Sequence, residues 1–347
     1  MSLYVLSLLL MALEGPLEFG EAVTLASVSE NSDLFVEEPL SFDFDEAGNF
    51  YLLDSGAKTV FTWDKQGRYT GNLGKAGQGP GELVLSGRGP TSGFLTTFQG
   101  KMYLMDGRKR EIMVFKDRTF EKALPLRLAR GRVMNFAILS EERFLFHWRR
   151  FGEDKMLNEL VIVDAAGATV EVIDSQVDTS FQMRGTGSNR SFKIKAYNPA
   201  MVSSYNRATG EMLMGNSGEA SFQVVDKSGK KTSIRVPIPQ MEVTREDKEE
   251  FKKQFTSGRF QPELEFPDKK TFYSHLISLG EKGFLVYDQS SFDRNVNGVH
   301  LSRDGKLKGR FSMALGQQGG LFASAGRVLA VSLDEDDDFV LRELKID

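Results

Sequence analysis

A chain of 347 residues with 40% hydrophobic and 27% charged side chains and 34 glycines has the make-up of a globular protein. It has enough apolar mass for a large core, and no shift in composition marks off a second domain. Its 44 basic and 48 acidic residues leave a net charge of −4, which gives no general pull toward nucleic acid or anionic membranes, and the lack of cysteine excludes disulfides, thiolate nucleophiles and Cys-ligated metals.

In chain order, the first feature is residues 3–13, eleven residues apolar except for Ser7. This is too short for a transmembrane helix and has the length of a signal-peptide core, although no Lys or Arg precedes it and no small-x-small cleavage site follows. Residues 1–16 are therefore read as the remnant of an export signal or a disordered leader, and an extracytoplasmic address (periplasm or cell surface) is expected. From Phe42 to Glu82 the chain runs through an apolar strand, an Asp-x-x-Gly turn, a Tyr-bearing strand, an Asp-Gly loop and a third strand closed by another Asp-x-x-Gly. The pattern recurs. Phe50-Tyr51-Leu52-Leu53-Asp54 is echoed by Met102-Tyr103-Leu104-Met105-Asp106, and the Asp64-to-Gly67 turn by Asp164-to-Gly167 and Asp226-to-Gly229. In such turns the Asp side chain accepts from the backbone just ahead of it, and Gly supplies the positive φ that closes a hairpin. These are strand punctuation, not active sites.

Turns preceding a Tyr-type strand fall at 45–48, 98–100, 140–143, 207–210, 280–283 and 323–326, which predicts six blades of a β-propeller. Short apolar/polar alternations bounded by Gly, Asn and Asp support an all-β fold. Residues 17–347 are read as one six-bladed β-propeller, closed by residues 22–27 pairing beside 327–333 and 339–346. With only 2 Trp against 27 Phe, Phe is expected to fill the wedges between blades. Two insertions stand out, at about 174–198 and 236–272. The second holds the one convincing helix, 243–255, with Thr244 as its cap, Glu246 and Asp247 in the first turn, Lys252 and Lys253 in the last, and Phe251 and Phe255 on one face. Both insertions are expected to border the channel mouth.

The block Asp45-Glu46-Ala47-Gly48-Asn49 with Tyr51 and Asp54, and above all Gly77-Gln78-Gly79-Pro80-Gly81-Glu82, resembles the six-bladed propellers of the NHL type found in many bacteria. The Gly-rich hexapeptide marks a subgroup of mostly unassigned function. The resemblance implies the fold and an extracytoplasmic address, and it implies no reaction.

On a propeller, function usually lives in the loops gathered at one face around the channel. Here those loops are basic. Between Asp106 and Arg150 twelve basic residues stand against six acidic. Arg108 and Arg110 fall in the second blade's loop, Arg127 and Arg132 in the next connection, and His147, Arg149 and Arg150 in a third-blade loop expected at 147–155. The planar fork of Arg suits carboxylate, sulfate or phosphate, so these seven residues form the candidate ligand-binding rim. The acidic run Asp334 to Asp338 lacks the spacing of a calcium loop and reads as a solvated hairpin tip. His147, His275 and His300 are scattered without ligand spacing, Gly74 to Gly81 lacks a Walker ending, and no Gly-x-Ser-x-Gly elbow occurs.

The expected function is that of a non-catalytic extracytoplasmic module binding an anionic or carbohydrate-like ligand, or a partner protein. No cofactor, no metal, no nucleic acid and no membrane span are expected. The alternative is a metal-dependent hydrolase. Similar propellers include lactonases of the gluconolactonase type, which hold a divalent cation in the channel with Glu, Asn and Asp. Asn135, Asn216 and Asp288 are residues of that kind here, although no motif maps them onto those ligands.

Overall fold

The computed structural model describes residues 23–24, 36–85, 93–128, 131–152, 155–184, 191–253, 255, 261–289, 295–315, 320–324, 327–333 and 339–346. The leader at 1–16 and the acidic run at 334–338 lie outside these residues.

A two-residue strand, β1 (Val23–Thr24), comes first. The first blade is β2 (Pro39–Phe44), β3 (Phe50–Asp54), β4 (Thr59–Trp63) and β5 (Tyr69–Leu73); the second is β6 (Gly93–Phe98), β7 (Lys101–Asp106), β8 (Glu111–Lys116) and β9 (Thr119–Pro125). The third is β10 (Gly131–Ser140), β11 (Arg143–Phe151), β12 (Met156–Asp164) and β13 (Thr169–Asp178). An inserted hairpin, β14 (Phe181–Arg184) and β15 (Ser191–Lys195), precedes the fourth blade: β16 (Met201–Asn206), β17 (Glu211–Asn216), β18 (Ser221–Val225) and β19 (Lys231–Arg235). Helix α1 (Arg245–Lys253) and β20 (Glu263–Glu265) follow. The fifth blade is β21 (His275–Ser278), β22 (Phe284–Gln289), β23 (Asn295–Leu301) and β24 (Leu307–Ala314), and the sixth is β25 (Gly320–Ser324), β26 (Arg327–Leu333) and β27 (Phe339–Glu343).

Each blade is a four-stranded antiparallel sheet in chain order, and the sixth is completed by β1, which pairs Val23 with Leu341 and Thr24 with Val340. The protein is thus an all-β, six-bladed propeller closed by its N-terminal strand, with a short helical insertion. The first strands of the blades (β2, β6, β10, β16, β21, β25) stand side by side around the axis.

The burial of each strand follows its place in the blade. Middle strands are packed on both faces by neighbouring blades, so β4 is buried at every position and β8 at its four central ones. Outer strands such as β9 and β19 are mostly exposed. Each seam between blades holds its own apolar cluster. Leu53, Val60, Leu104 and Met113 join the first and second blades, and Phe136, Phe144 and Phe146 meet Tyr103 and Val114 between the second and third. Phe222 and Phe284 meet edge to face, 5.3 Å apart, between the fourth and fifth. Full burial of each such side chain contributes roughly 1.5–3 kcal/mol. Phe fills these wedges, but the seam between the third and fourth blades is closed by Leu145, Leu160, Ile162, Met201, Met212 and Met214.

The repeated acids hold turns together. Asp54, fully buried, accepts from the backbone N–H groups of Glu37, Glu38 and Ala57 at 2.7–2.9 Å, and Asp106 accepts from Val84, Arg108 and Lys109 at 2.8–3.1 Å. The Gly-rich hexapeptide is a clasp. Glu82 folds back to accept from Gly79 N–H at 2.8 Å, and at Gly77 (φ +153) a β-carbon would sit 2.1 Å from the same carboxylate. Lys109 of the next blade donates to the Gly79 and Glu82 carbonyls.

The two insertions join. β15 pairs antiparallel with β14 and parallel with β20, so residues from both build one three-stranded sheet. Helix α1 starts at a reciprocal cap, in which Thr244 Oγ1 accepts from Asp247 N–H and Asp247 Oδ2 accepts from Thr244 N–H. Phe251 anchors it among Tyr197, Phe255 and Phe266, and Lys270 pairs with Asp247 at 2.7 Å.

Candidate functional site

The six inner strands enclose a cavity of about 280 Å³ on the propeller axis. Its wall mixes Phe42, Phe94 and Phe136 with polar groups from five blades, among them Ser41, Asp43, Asn135, His147, Ser204 and Ser278. Among the described residues, none of either insertion lines it. The second insertion borders a separate groove, where Ile238, Pro239, Met241 and Phe272 face the fifth blade, whereas the first meets Arg149 of the third blade through Asp178 and Ser180.

One end is bridged by a side chain that spans the axis. Arg207, in the turn after β16, reaches across the axis to the opposite blade. Its Nη1 donates to Asp43 Oδ2 at 2.6 Å, to Thr97 Oγ1 at 2.8 Å and to the Thr97 carbonyl, and its Nη2 donates to the Phe44 carbonyl. Asp43, 5% exposed, also accepts from Thr97 N–H at 2.5 Å and Phe44 N–H at 2.8 Å. A buried ion pair is tolerated when its remaining lone pairs are satisfied in this way.

The other end is formed by the third blade. Strand β11 pairs with β12 along nine positions and so runs through Phe151. His147, Arg149 and Arg150 therefore lie on a strand and not in the loop expected at 147–155, because the alternation of apolar and polar residues continues through them. Alternation also divides them. Leu145, His147 and Arg149 climb one face from core to mouth, the face toward the fourth blade, while Trp148 and Arg150 are on the other. Cross-strand partners put Arg132 opposite Arg149 and Asn135 opposite His147.

His147 is 8% exposed, and its Nε2 has no hydrogen-bond partner. Burial, and then the nearby Arg149 guanidinium, lower its pKa from 6.5 to about 4, so the ring is neutral at physiological pH. Arg149 pairs with Asp178 at 2.6 Å and Ser180 at 2.9 Å, yet its buried Nε–H is unpartnered. Arg132 keeps solvent contact, but desolvation by the wall, and then Arg149, push its pKa below the ordinary guanidinium value. Ser204 Oγ, on β16 in the cavity wall, is a further buried polar atom without a partner.

The remaining rim arginines are placed elsewhere. Arg150 is bidentate to Glu159 at 2.6 and 2.8 Å, and this bond holds its pKa above the usual value. Arg110 donates to the Leu128 carbonyl, and exposed Arg108 sits in the turn held by Asp106. Arg127 lies outward, its backbone N–H bonded to the Gly167 carbonyl of the third blade's outer hairpin. Of the seven residues, Arg132, His147 and Arg149 share one face of the third blade, and His147 lines the cavity. Arg207, Asp43, Thr97 and Ser204 were not legible as site residues. Arg207 had one signal: it is a cation in a hairpin turn whose counterparts at 45–48 carry an acid.

Asn135, Asn216 and Asp288 do not converge. Asn135 donates to the Ser203 carbonyl, Asn216 bonds Gln176 and Gly218, and Asp288 lines the outer groove. Among the described residues no three His, Cys, Asp or Glu side chains form a metal-binding group, and no described helix is long and apolar enough to cross a membrane.

This geometry belongs to the six-bladed propellers. Residues 43–207 match the family DUF5128, described as a 6-bladed beta-propeller. A member of the DUF4221 family from Bacteroides vulgatus superposes with a TM-score of 0.60 at 10% identity, over 96% of this chain and 99% of the other. A Bacteroides fragilis protein whose name marks it as a candidate for export superposes with a TM-score of 0.54 at 13% identity, over 95% of each chain. No functionally curated protein matches the sequence.

Proposed function

We propose that this chain is a non-catalytic, extracytoplasmic binding protein that takes a small anionic or carbohydrate-like ligand at the open end of its central channel. One observation carries the reading: buried, neutral His147 lines the cavity with Nε2 unpartnered, beneath the cross-strand pair Arg132 and Arg149. An unsatisfied buried polar group costs about 1–3 kcal/mol, and like charges directly opposite on a sheet are destabilising. An oxygen-rich anion relieves both costs. The His147 N–H or lone pair, the Arg149 Nε–H and the Arg132 fork supply complementary contacts, and the aromatic wall below suits a sugar ring. Residues 17–347 then act as one propeller unit of the NHL-like kind suggested by Gly77 to Glu82. The export-related name of one structural neighbour and the apolar leader support the extracytoplasmic address.

The test is thermal unfolding across organic anions, sugar acids, neutral sugars and divalent metals, with a chelator control. A ligand at 100 times its Kd stabilises the native state by about 2.7 kcal/mol. A salt-sensitive upward shift with anions, lost in Arg132→Ala, is expected. Stabilisation by a metal and its reversal by chelator would overturn the reading in favour of a metal-dependent hydrolase.

A further inference from the structure

The groove between the second insertion and the fifth blade has a volume of about 610 Å³, against about 280 Å³ for the channel cavity. Its fifth-blade wall follows two cross-strand rows. Val286, Val299 and Arg310 are opposite one another on β22, β23 and β24, and Asp288, Asn297 and Ser312 form the next row. Val286 and Val299 belong to the apolar cluster between the fourth and fifth blades, so by alternation all six side chains are on the face toward the fourth blade. Ile238 and Phe272, at the two ends of the insertion, pack on the same cluster. The insertion's two limbs are tied into a neck, because Lys270 N–H donates to the Met241 carbonyl at 2.8 Å, Val243 N–H to the Asp268 carbonyl at 2.8 Å and Gln240 Nε2 to the Lys270 carbonyl at 3.0 Å. The groove is therefore built on both sides.

Its lining is amphipathic. Ile238, Phe272 and Val299 give it an apolar floor, and Met241, 50% exposed, adds apolar surface at the rim. Covering such surface is favourable. On the blade side Arg310 is exposed and makes no hydrogen bond or ion pair among the described residues. Asn297, diagonal to it across β23 and β24, accepts from Ser312 Oγ at 2.8 Å through Oδ1, which leaves its amide N–H groups as donors. Arg310 is the one cation of the described lining and Asp288 the one acid, and strand β23 lies between them. A singly charged anion on the Arg310 side suits this arrangement better than a dianion, which Asp288 would repel.

We propose that this groove is a second binding site, for an amphiphile with one carboxylate head and an aliphatic tail, of the fatty acid class. The Arg310 fork takes the carboxylate, the Asn297 amide donates to the same head, and the tail covers Ile238, Phe272, Val299 and Met241. The site does not depend on the channel reading.

Sodium octanoate is titrated into full-length protein carrying ¹³C at the methionine methyls, with the groove signal assigned by Met241→Leu. A saturable shift of the Met241 peak is expected, at least tenfold weaker in Arg310→Gln and at least tenfold weaker for butyrate, since each buried methylene tightens binding by about fourfold. Arg310 is exposed and unbonded, so its replacement leaves the fold intact, which an unchanged Tm checks. No shift of the Met241 peak, equal affinity for 1-octanol, equal affinity for butyrate, or affinity unchanged in Arg310→Gln would overturn the proposal. A shift confined to the Met201, Met212 and Met214 methyls, which pack between the third and fourth blades, would place the ligand there and reject the groove.

Discussion

At the closed end of the channel Arg207 reaches Asp43, Thr97 and the Phe44 carbonyl, and the Asp43 carboxylate is met by two backbone N–H groups as well. At the open end Arg132 faces Arg149, and His147 Nε2 and Arg149 Nε lack partners. The same inner strands thus end in a satisfied network on one side and an unsatisfied one on the other. Groups that are fully paired within the fold hold it together, whereas groups left short of partners have something to gain from a ligand.

The largest effect should come from breaking the closed end. Arg207→Met strands a buried carboxylate and is expected to cost about 3–5 kcal/mol in urea unfolding, with part of the loss recovered when Asp43→Asn is added. A loss below about 1 kcal/mol would deny that end its structural role. Next comes pH. Folding depresses the His147 pKa from 6.5 to about 4, so as pH falls through 6.5 the unfolded chain takes the proton first. Stability carried by this group is full above pH 6.5, falls toward pH 4 by on the order of 3 kcal/mol at most, and then levels off. His147→Phe should flatten that part of the pH–stability curve, and an unchanged slope would contradict the burial argument.

Two arginines of the same strand region sharpen the contrast. Arg150→Ala leaves buried Glu159 without its bidentate partner and should cost about 1–3 kcal/mol, with no effect on ligand binding. Arg132→Ala should change stability by no more than about 0.5 kcal/mol, in either direction, while removing the anion-dependent rise in Tm. If the two variants behave alike in both assays, the division between structural and ligand-facing arginines fails.

Much of the fold was legible in the sequence because its signals are local. The Asp and Gly residues of a hairpin act within four positions, as where Asp64 and Asp226 accept from the backbone two and four residues ahead. Thr244 likewise marked its helix. The site was only partly legible, since a propeller channel is assembled from residues far apart in the chain. Arg207 and Asp43 are separated by 164 positions. Charge counting found the basic stretch at 106–150 but could not tell that Arg149 and Arg150 point to opposite faces of β11. That depended on the strand running on to Phe151, where the expected loop broke it too early. The way the insertions dock on each other had no local signal either, because Tyr197 and Phe266, which both pack on Phe251, come from different insertions.

The most direct test of the channel reading is the imidazole ¹⁵N spectrum of His147, one of only three histidines, recorded at pH 6 and assigned with His147→Gln. A neutral ring is expected, with an Nε2 signal that moves saturably on addition of whichever anion raises Tm and does not move in Arg132→Ala. A ring already protonated at pH 6, or an Nε2 signal indifferent to every ligand that binds, would contradict the account.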